Sequence, residues 1–254
     1  MSPAPPEPSA ATGGRDPAPA DPERLLRALE LALQAEAAAG IDAVPVPAGR
    51  RQPRAGATQD AGAALAALQA AVAACTRCGL CRSRTHTVFG EGSAAPRLLF
   101  IGEGPGGEED RTGRPFVGPA GRLLDRIIAA ARLRREEVYI ANIVKCRPPG
   151  NRTPTPDEVE ACLPYLREQI RLLRPAVICT LGAPATRSIL ATAQGITRLR
   201  GQAFAFPEDP SIVVIPTYHP AYLLRAPERK RETWQDIQRV MRELDRARPD
   251  RDRA

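Results

Sequence analysis

Six cysteines are the residues of this 254-residue chain whose type and spacing most directly suggest chemistry. Cys75, Cys78 and Cys81 follow one another with two residues between neighbours, and Cys146 and Cys162 lie far downstream. In a chain that is expected to be cytosolic, clustered cysteines are more often metal ligands than disulfide partners. Four thiolates can hold a [4Fe-4S] cluster or a zinc ion, so this set predicts one of the two.

The cysteines leave a choice of ligands, because five candidates compete for four positions. We leave out Cys81, since the other four complete a set without it. Cys179 lies inside the apolar run AVICTL and is predicted to be a buried core residue.

A second set of chemically suggestive residues follows short apolar runs. The glycine-rich turn Gly102–Gly107 comes directly after RLLFI, Asn142–Lys145 lies at the end of VYIANIV, and Tyr218–Pro220 follows IVVIP. In open α/β sheets, ligands bind outside the carboxyl ends of the strands. We therefore expect the three segments to form one shared site.

Apolar runs alternate with segments of helical periodicity from residue 62 onward. This alternation predicts an α/β fold, a three-layer α/β/α sandwich around a central, mainly parallel four-stranded sheet. Thr155–Glu158 marks a helix start, with a threonine cap, a proline in the first turn and a glutamate that completes a capping box. The predicted strands are 97–101, 138–144, 176–181 and 212–216, and the predicted helices include 120–133, 183–191 and 228–246.

Composition divides the chain into three parts. Residues 1–60 are rich in alanine and proline and are predicted to be disordered or partly helical, 61–247 form the folded domain, and 248–254 are a polar tail. We find no signal peptide and no run of about 18 apolar residues, so we expect a cytoplasmic monomer that does not enter a membrane. The net charge of +7 favours a polyanionic partner, although coding bias could also explain a chain whose only lysines are Lys145 and Lys230.

Three long motifs then become specific: GEGPGGEEDRTGRPFVGPAGRLLD at 102–125, NIVKCRPPGNRTPTPDEVEAC at 142–162 and PTYHPAYLL at 216–224. Together they resemble the family 4 uracil-DNA glycosylases, the iron–sulfur-containing members of that superfamily. The resemblance covers roughly residues 70–245. It implies the uracil-DNA glycosylase sandwich fold and hydrolysis of the bond between deoxyribose and a flipped-out uracil in DNA, the step that initiates base excision repair.

The resemblance also implies a cofactor and its ligands. CTRC at 75–78 matches the N-terminal ligand pair of the family. The family's cluster is regarded as structural, so it would fix loops that face DNA. The implied ligands of the [4Fe-4S] cluster are Cys75, Cys78, Cys146 and Cys162.

A role for each pocket residue follows from the same resemblance. Phe116 is expected to stack on the flipped base, Asn142 to read its Watson–Crick edge, and His219 to stabilise the charge that develops on the leaving base. Glu103 and His219 are the expected catalytic residues, and Glu109 is expected to exclude the methyl group of thymine. Without the resemblance, Phe116 would be interpreted as a core residue, and Asn142 as a residue that stabilises a turn at the end of a strand. The full set expected to bind uracil is Gly102, Glu103, Gly104, Glu109, Phe116, Asn142 and His219.

The sequence departs from the family pattern at one position, and one further segment resembles a part of the family that contacts DNA. Gly104 stands where members of the family commonly have alanine. The segment 217–225 resembles the loop that enters the DNA stack, although it could also be the first turn of an amphipathic helix. Arginines in or beside the motif loops, including Arg152, are expected to contact phosphates. The residues expected to bind DNA are Arg147, Arg200, Tyr222, Leu223 and Arg225.

Two other classes of protein remain as alternatives. An iron–sulfur protein of electron transfer would need an exposed, reversibly redox-active cluster. A zinc-stapled nucleic-acid-binding module would account for the charge and the cysteines but not for the combination of Phe116, Asn142 and His219. Because 196–204 contains no histidine, we expect turnover of substrate and not the permanent crosslink of a covalently trapping relative.

Overall fold

The structure is a computed structural model that describes residues 58–247. The first described helix begins at Thr58, three residues inside the predicted N-terminal extension. The rest of that extension and the predicted tail at 248–254 lie outside the described residues.

The described residues form one sheet of six strands in the order β1-β3-β2-β4-β6-β5. The four central strands are parallel to their neighbours, as predicted, whereas β1 pairs with β3 and β5 pairs with β6 in antiparallel fashion. The expectation of four strands is therefore wrong by two short edge strands, and the sheet is mixed. The strands are β1 Glu91–Gly92, β2 Leu98–Gly102, β3 Tyr139–Asn142, β4 Val177–Leu181, β5 Phe204–Phe206 and β6 Asp209–Thr217.

Helices connect the parallel strands and cover the sheet. Of the helices in the described range, none is both long enough and apolar enough to cross a membrane. Single turns of 3-10 helix lie at Gly79–Arg82, Arg135–Glu137, Pro149–Asn151 and Pro227–Arg229. The α-helices are α1 Thr58–Ala73, α2 Gly107–Thr112, α3 Pro119–Ala130, α4 Pro156–Leu173, α5 Ala183–Leu190, α6 Ile196–Leu199, α7 Pro220–Arg225 and α8 Lys230–Arg246.

The two faces of the sheet bury different sets of side chains, because successive residues of a strand point to opposite faces. Along β2, Leu99 and Ile101 pack into one apolar cluster with residues of α1, α4 and α5. Leu98 and Phe100 pack into a second cluster with residues of α3 and α8. All five residues of β2 are buried, as expected for a central strand of a parallel sheet. The predicted three-layer α/β/α arrangement is confirmed.

The predicted capping box begins α4. Thr155 accepts a hydrogen bond from the backbone of Glu158 at 3.4 Å, and the Glu158 carboxylate accepts one from the backbone of Thr155 at 2.8 Å. Arg152 donates to both oxygens of the same carboxylate and is the main reason that the pKa of Glu158 is lowered to about 2. The guanidinium of Arg152, which was expected to contact a DNA phosphate, is thus paired with the carboxylate of Glu158 in this structure.

A buried ion pair fixes the end of β6. Asp236 is 1% exposed and accepts two hydrogen bonds from the guanidinium of Arg200, at 2.6 and 3.0 Å. The same carboxylate accepts a hydrogen bond of 2.7 Å from the hydroxyl of Thr217, the last residue of β6. The contact ties α8 to the strand end two residues before His219.

We predict that Asp236→Ala lowers the free energy of unfolding by about 3–5 kcal/mol, because it removes both short hydrogen bonds to the largely buried guanidinium of Arg200 and leaves it, as a carboxylate partner among the described residues, only the more distant Glu232, 3.7 Å away. Urea denaturation of the wild type and the variant measures this loss. Glu168→Ala, which breaks the exposed pair with Arg171, is the matched control and should change stability little. Equal losses in the two variants would contradict the structural role of Asp236.

Candidate functional site

A cavity of about 370 Å³ lies at the carboxyl ends of β2, β3 and β6. This is the size of a small-molecule site. Residues of all three predicted segments line it, so the structure brings these strand ends together at one cavity. The lining residues that the sequence had singled out are Glu103, Gly104, Glu109, Phe116, Asn142, Arg152, His219, Tyr222 and Arg225.

Asn142 ends strand β3 and is 1% exposed. Its side-chain oxygen, Oδ1, has no hydrogen-bond partner among the described residues. A buried polar atom without a partner costs about 1–3 kcal/mol. The amide oxygen is therefore suited to accept a hydrogen bond from an N–H group of a ligand in the cavity.

Phe116 lies beside this amide with its ring against the cavity. The centroid of its ring lies 5.6 Å from that of His219, and the two planes are inclined by 32°. Both Phe116 and Asn142 approach Gly102, where an added Cβ would lie 2.5 Å from the ring and 2.5 Å from Oδ1. Glycine at 102 is required by this close approach. It does not line the cavity itself, and its role in binding uracil stays a prediction.

His219 follows β6 and begins α7. Its Nδ1 accepts a hydrogen bond of 3.1 Å from the backbone N–H of Ala221, so Nδ1 carries no proton and the neutral ring carries its proton on Nε2. Burial lowers the pKa of His219 from 6.5 to about 4, with a further lowering by Arg225 and a partial offset by Glu109. At neutral pH the side chain is an uncharged donor.

Backbone hydrogen bonds join the glycine-rich turn Gly102–Gly107 to the segment after β3. Backbone N–H groups of Ile143 and Val144 donate to the carbonyls of Gly102 and Glu103, at 3.0 and 3.2 Å. The carboxyl of Glu103 lines the cavity and is half-buried. Burial raises the pKa of Glu103, and a hydrogen bond from Thr153 offsets part of this rise.

Gly104, the departure from the family's alanine, has a neighbour at close range. A Cβ at this position would lie 2.8 Å from Cγ2 of Val144. The side chain of Val144 would have to move to admit an alanine, so the packing of the segment after β3 favours glycine here.

Glu109 lines the cavity and organises its rim. Its carboxylate accepts hydrogen bonds from the backbone N–H groups of Gly106 at 3.1 Å, Val117 at 2.9 Å and Gly118 at 2.8 Å. One side chain thus joins the start of α2 to the segment that follows Phe116. Its expected part in excluding a methyl group stays a prediction.

The mouth of the cavity carries exposed cationic and apolar groups. Tyr222 and Leu224, on α7, are two of the large apolar side chains that stay exposed, at 37% and 42%. Arg225, at the end of the same helix, is exposed and lines the cavity. Arg147 does not line the cavity, but its Nε donates at 2.7 Å to Oδ1 of Asn151, which does.

Two residues of the expected DNA-binding surface lie in the interior, and their assignment is corrected. Leu223 is 1% exposed and packs with Leu123 and Tyr218, so it cannot enter a DNA stack without unpacking. The guanidinium of Arg200 is held by Asp236, and its side chain is 16% exposed. Neither residue presents a free group to DNA.

The five cysteines expected to compete as ligands line a second cavity. Cys75, Cys78, Cys81, Cys146 and Cys162 all face it, so the choice between Cys81 and the others stays open. A single zinc ion needs its ligand atoms about 2.0–2.3 Å from one point. In the described part of the chain, no three cysteine, histidine or acidic side chains form such a group. Four thiolates around one space can hold either an iron–sulfur cluster or a zinc ion.

Hydrogen-bond donors surround the cysteine sulfurs. The backbone N–H of Lys145 donates to Sγ of Cys162 at 3.2 Å, and Arg84 donates to Sγ of Cys146 at 3.3 Å. Arg84 also donates to the carbonyl of Cys75 at 2.8 Å. Such donors stabilise anionic sulfur, so the residues present fit an iron–sulfur cluster. Cys179 is fully buried in β4, and burial raises its thiol pKa, as expected for a core residue.

Lys145 ends one of the three predicted segments, but the sequence assigned it no role of its own. It is 1% exposed, and its Nζ donates to the carbonyl of Asn142 at 2.9 Å and to Oε1 of Gln169 at 2.5 Å. The residue therefore contacts both the backbone of Asn142 and, through its own N–H, Cys162. A lysine directly after a buried strand, in a chain with only two lysines, was the available signal.

The fold is an α/β sheet protein with a cavity at the carboxyl ends of its parallel strands. The chain belongs to the uracil DNA glycosylase superfamily, whose family model matches residues 89–238.

The curated relatives refine this assignment. The chain is 48% identical over 169 residues to the type-4 uracil-DNA glycosylase of Thermotoga maritima, which covers 65% of this chain and 87% of that protein. It is 40% identical to the type-4 uracil-DNA glycosylase of Archaeoglobus fulgidus, over 66% of this chain and 87% of that protein. A type-5 uracil-DNA glycosylase of Thermus thermophilus is 35% identical over 41% of this chain and 54% of that protein. The resemblance to the type-4 (family 4) proteins that the motifs indicated is confirmed.

The lowered pKa of His219 predicts a specific pH dependence of stability. Between pH 6.5 and about 4 the unfolded chain binds a proton at this residue that the folded chain does not, so stability falls as the pH falls. Going from pH 7 to pH 5, the wild type should lose about 1–2 kcal/mol more than His219→Gln in urea denaturation. His86→Gln removes the other histidine and is the matched control. An unchanged pH dependence in His219→Gln would contradict the neutral, buried imidazole.

Proposed function

We propose that this chain is a uracil-DNA glycosylase of the iron–sulfur-containing type, which hydrolyses the N-glycosidic bond of a deoxyuridine flipped out of DNA. The observation that carries the proposal is the buried amide oxygen of Asn142, which has no partner among the described residues and lies at a cavity of about 370 Å³ that Phe116 and His219 also line. Membership of the superfamily and identities of 40–48% to type-4 enzymes support the same reaction.

Recognition of uracil follows from the donor and acceptor pattern of Asn142. Oδ1 accepts from N3–H of uracil, and the amide nitrogen donates to O4. Cytosine presents an acceptor and a donor at these positions, so both atoms of the buried amide would be left without partners. A site that leaves buried polar groups unpaired rejects the wrong ligand strongly. The ring of Phe116 stacks on the base and compensates in part for the lost stacking in DNA.

The chemical step breaks the bond between C1′ of the sugar and N1 of uracil. The electron pair of this bond moves to the base, where charge spreads to O2, and the sugar becomes cation-like. The Nε2–H of neutral His219 donates to O2 and stabilises the anion. The carboxylate of Glu103 orients water toward C1′ and balances the positive charge of the sugar. Water adds to C1′ and releases a proton, the uracil anion takes up one proton, and the products are an abasic sugar and free uracil.

DNA meets the protein at the mouth of the cavity. Arg147 and Arg225 contact phosphates beside the extruded nucleotide, and the net charge of +7 strengthens binding to DNA in a salt-dependent manner. The exposed side chains of Tyr222 and Leu224 fill the space that the flipped base leaves in the stack.

The cysteine cavity holds a [4Fe-4S] cluster on Cys75, Cys78, Cys146 and Cys162. When bound, the cluster supplies a covalent cross-link between distant segments of the chain and takes no electron in the reaction. The ligands join the segment after α1 to the segment after β3 and to the first turns of α4. The backbone near Asn142 is thereby fixed from the side opposite the uracil cavity.

We predict that Asn142→Asp reduces uracil excision at least about 100-fold, because a carboxylate offers no donor to O4 and faces it with like partial charge. Single-turnover cleavage of oligonucleotides that contain U:G, U:A or single-stranded U measures the loss, with T:G as the negative substrate. Binding to DNA that carries an abasic-site analogue is the control and should stay at the wild-type level. Wild-type excision by the variant would refute the recognition role, and a wild type that leaves every uracil intact would refute the proposed function.

The cluster assignment predicts different outcomes for two cysteines of the same cavity. Cys162→Ser should give colourless or poorly folded protein, because it removes a ligand, whereas Cys81→Ser should keep the brown colour and full iron and sulfide content. Visible absorbance and metal analysis of the purified variants measure both. A fully coloured, active Cys162→Ser protein would transfer the fourth ligand position to Cys81. A colourless wild type that contains zinc would overturn the cluster.

A further inference from the structure

The backbone at Phe116 has a conformation that an aromatic residue rarely adopts. Its φ is +51°, in the left-handed region. Such a conformation costs about 1–3 kcal/mol and persists only where neighbouring groups enforce it. The ring that faces the cavity is therefore placed by contacts to its own main chain, and the residues that make those contacts control its position.

Arg135 makes the contacts on the carbonyl side. Its guanidinium donates to the carbonyl of Pro115 at 2.6 Å and to that of Phe116 at 3.3 Å. The guanidinium is itself oriented by carboxylates, Asp125 at 2.6 Å and Glu91 at 3.3 Å. Only 21% of the Arg135 side chain is exposed, so these contacts are partly shielded from water.

The backbone N–H groups that follow Phe116 and the space beside its carbonyl group are also occupied by neighbouring residues. The carboxylate of Glu109 accepts from the N–H groups of Val117 and Gly118, the two residues after Phe116. On α3, a Cβ at Gly121 would lie 1.9 Å from the Phe116 carbonyl oxygen, so the helix packs directly on this peptide. The main chain on both sides of the strained residue is thus held.

We propose that Arg135 is a positioning residue for uracil excision, which acts through Phe116 by holding two successive carbonyls in the conformation that presents the ring to the base. The proposal rests on the proposed function. A planar guanidinium can bind two carbonyls and two carboxylates at once in a fixed geometry, which the single ammonium group of lysine cannot do. Arg135 is not among the residues that line the cavity, so its effect on excision should depend on the presence of the ring.

The first test compares two adjacent arginines. Arg135→Met should lower kcat/KM for uracil excision about 10- to 100-fold, since a displacement of about 1 Å at a reacting centre has effects of this size. Arg134→Met is the matched control, because Arg134 is exposed and its ion pairs are with Glu136 and Glu137 of its own turn. That variant should keep wild-type kinetics. Equal kinetics in all three proteins would overturn the proposal.

The second test separates positioning from general stability through a double-mutant cycle. Phe116→Ala should reduce excision, and adding Arg135→Met to it should cause no further loss, because the ring on which Arg135 acts is absent. A further loss of the same factor as in the wild-type background would overturn the proposal, since Arg135 would then act independently of Phe116.

Thermal melting and cluster absorbance establish that each variant is folded. If Arg135→Met does not fold, Arg135→Lys replaces it; we expect an intermediate loss that again vanishes in the Phe116→Ala background, and persistence of that loss would overturn the proposal. A wild type that excises no uracil would end the proposed function and this proposal together. An active wild type with an equally active Arg135→Met protein would end this proposal alone.

Discussion

The Asn142 amide oxygen, buried and without a partner in the described range 58–247, is the constraint on which the chemistry of this cavity depends. Parallel pairing places Gly102 of β2 opposite Asn142 of β3, and only a glycine leaves room there for both the amide and the ring of Phe116. Folding therefore leaves a polar atom that has no partner among the described residues and can accept a hydrogen bond from a ligand. Because an unpaired buried oxygen costs free energy, a ligand that supplies an N–H group at this point binds more favourably than one that does not.

Charged side chains hold the backbone around this cavity from behind. Lys145 binds the carbonyl of Asn142, Arg135 binds that of Phe116, and Asp236 fixes the strand end that precedes His219. In each case the side chain acts on the main chain or on the strand end and leaves the group that faces the cavity free. Sites of this kind keep reacting groups in place through supporting hydrogen bonds.

The sequence predicted the central strands and the residues that face the cavity, because buried parallel strands and motif spacing are local patterns. It did not predict β1 and β5, since strands of two and three residues carry no periodicity. Leu223 and Arg200 were misassigned because burial and ion pairing depend on distant residues such as Asp236. The left-handed backbone of Phe116 could not be foreseen either, since no local pattern marks it and one of its contacts comes from Arg135, 19 residues away.

The most direct measurement is a crystal structure of the protein with uracil-containing DNA or with its products, uracil and abasic DNA. The account predicts that Oδ1 of Asn142 lies about 2.7–3.2 Å from N3 of uracil. It also predicts that the base stacks on Phe116 and that Nε2 of His219 points to O2. Uracil bound elsewhere, or an Asn142 amide turned away from the base, would contradict it.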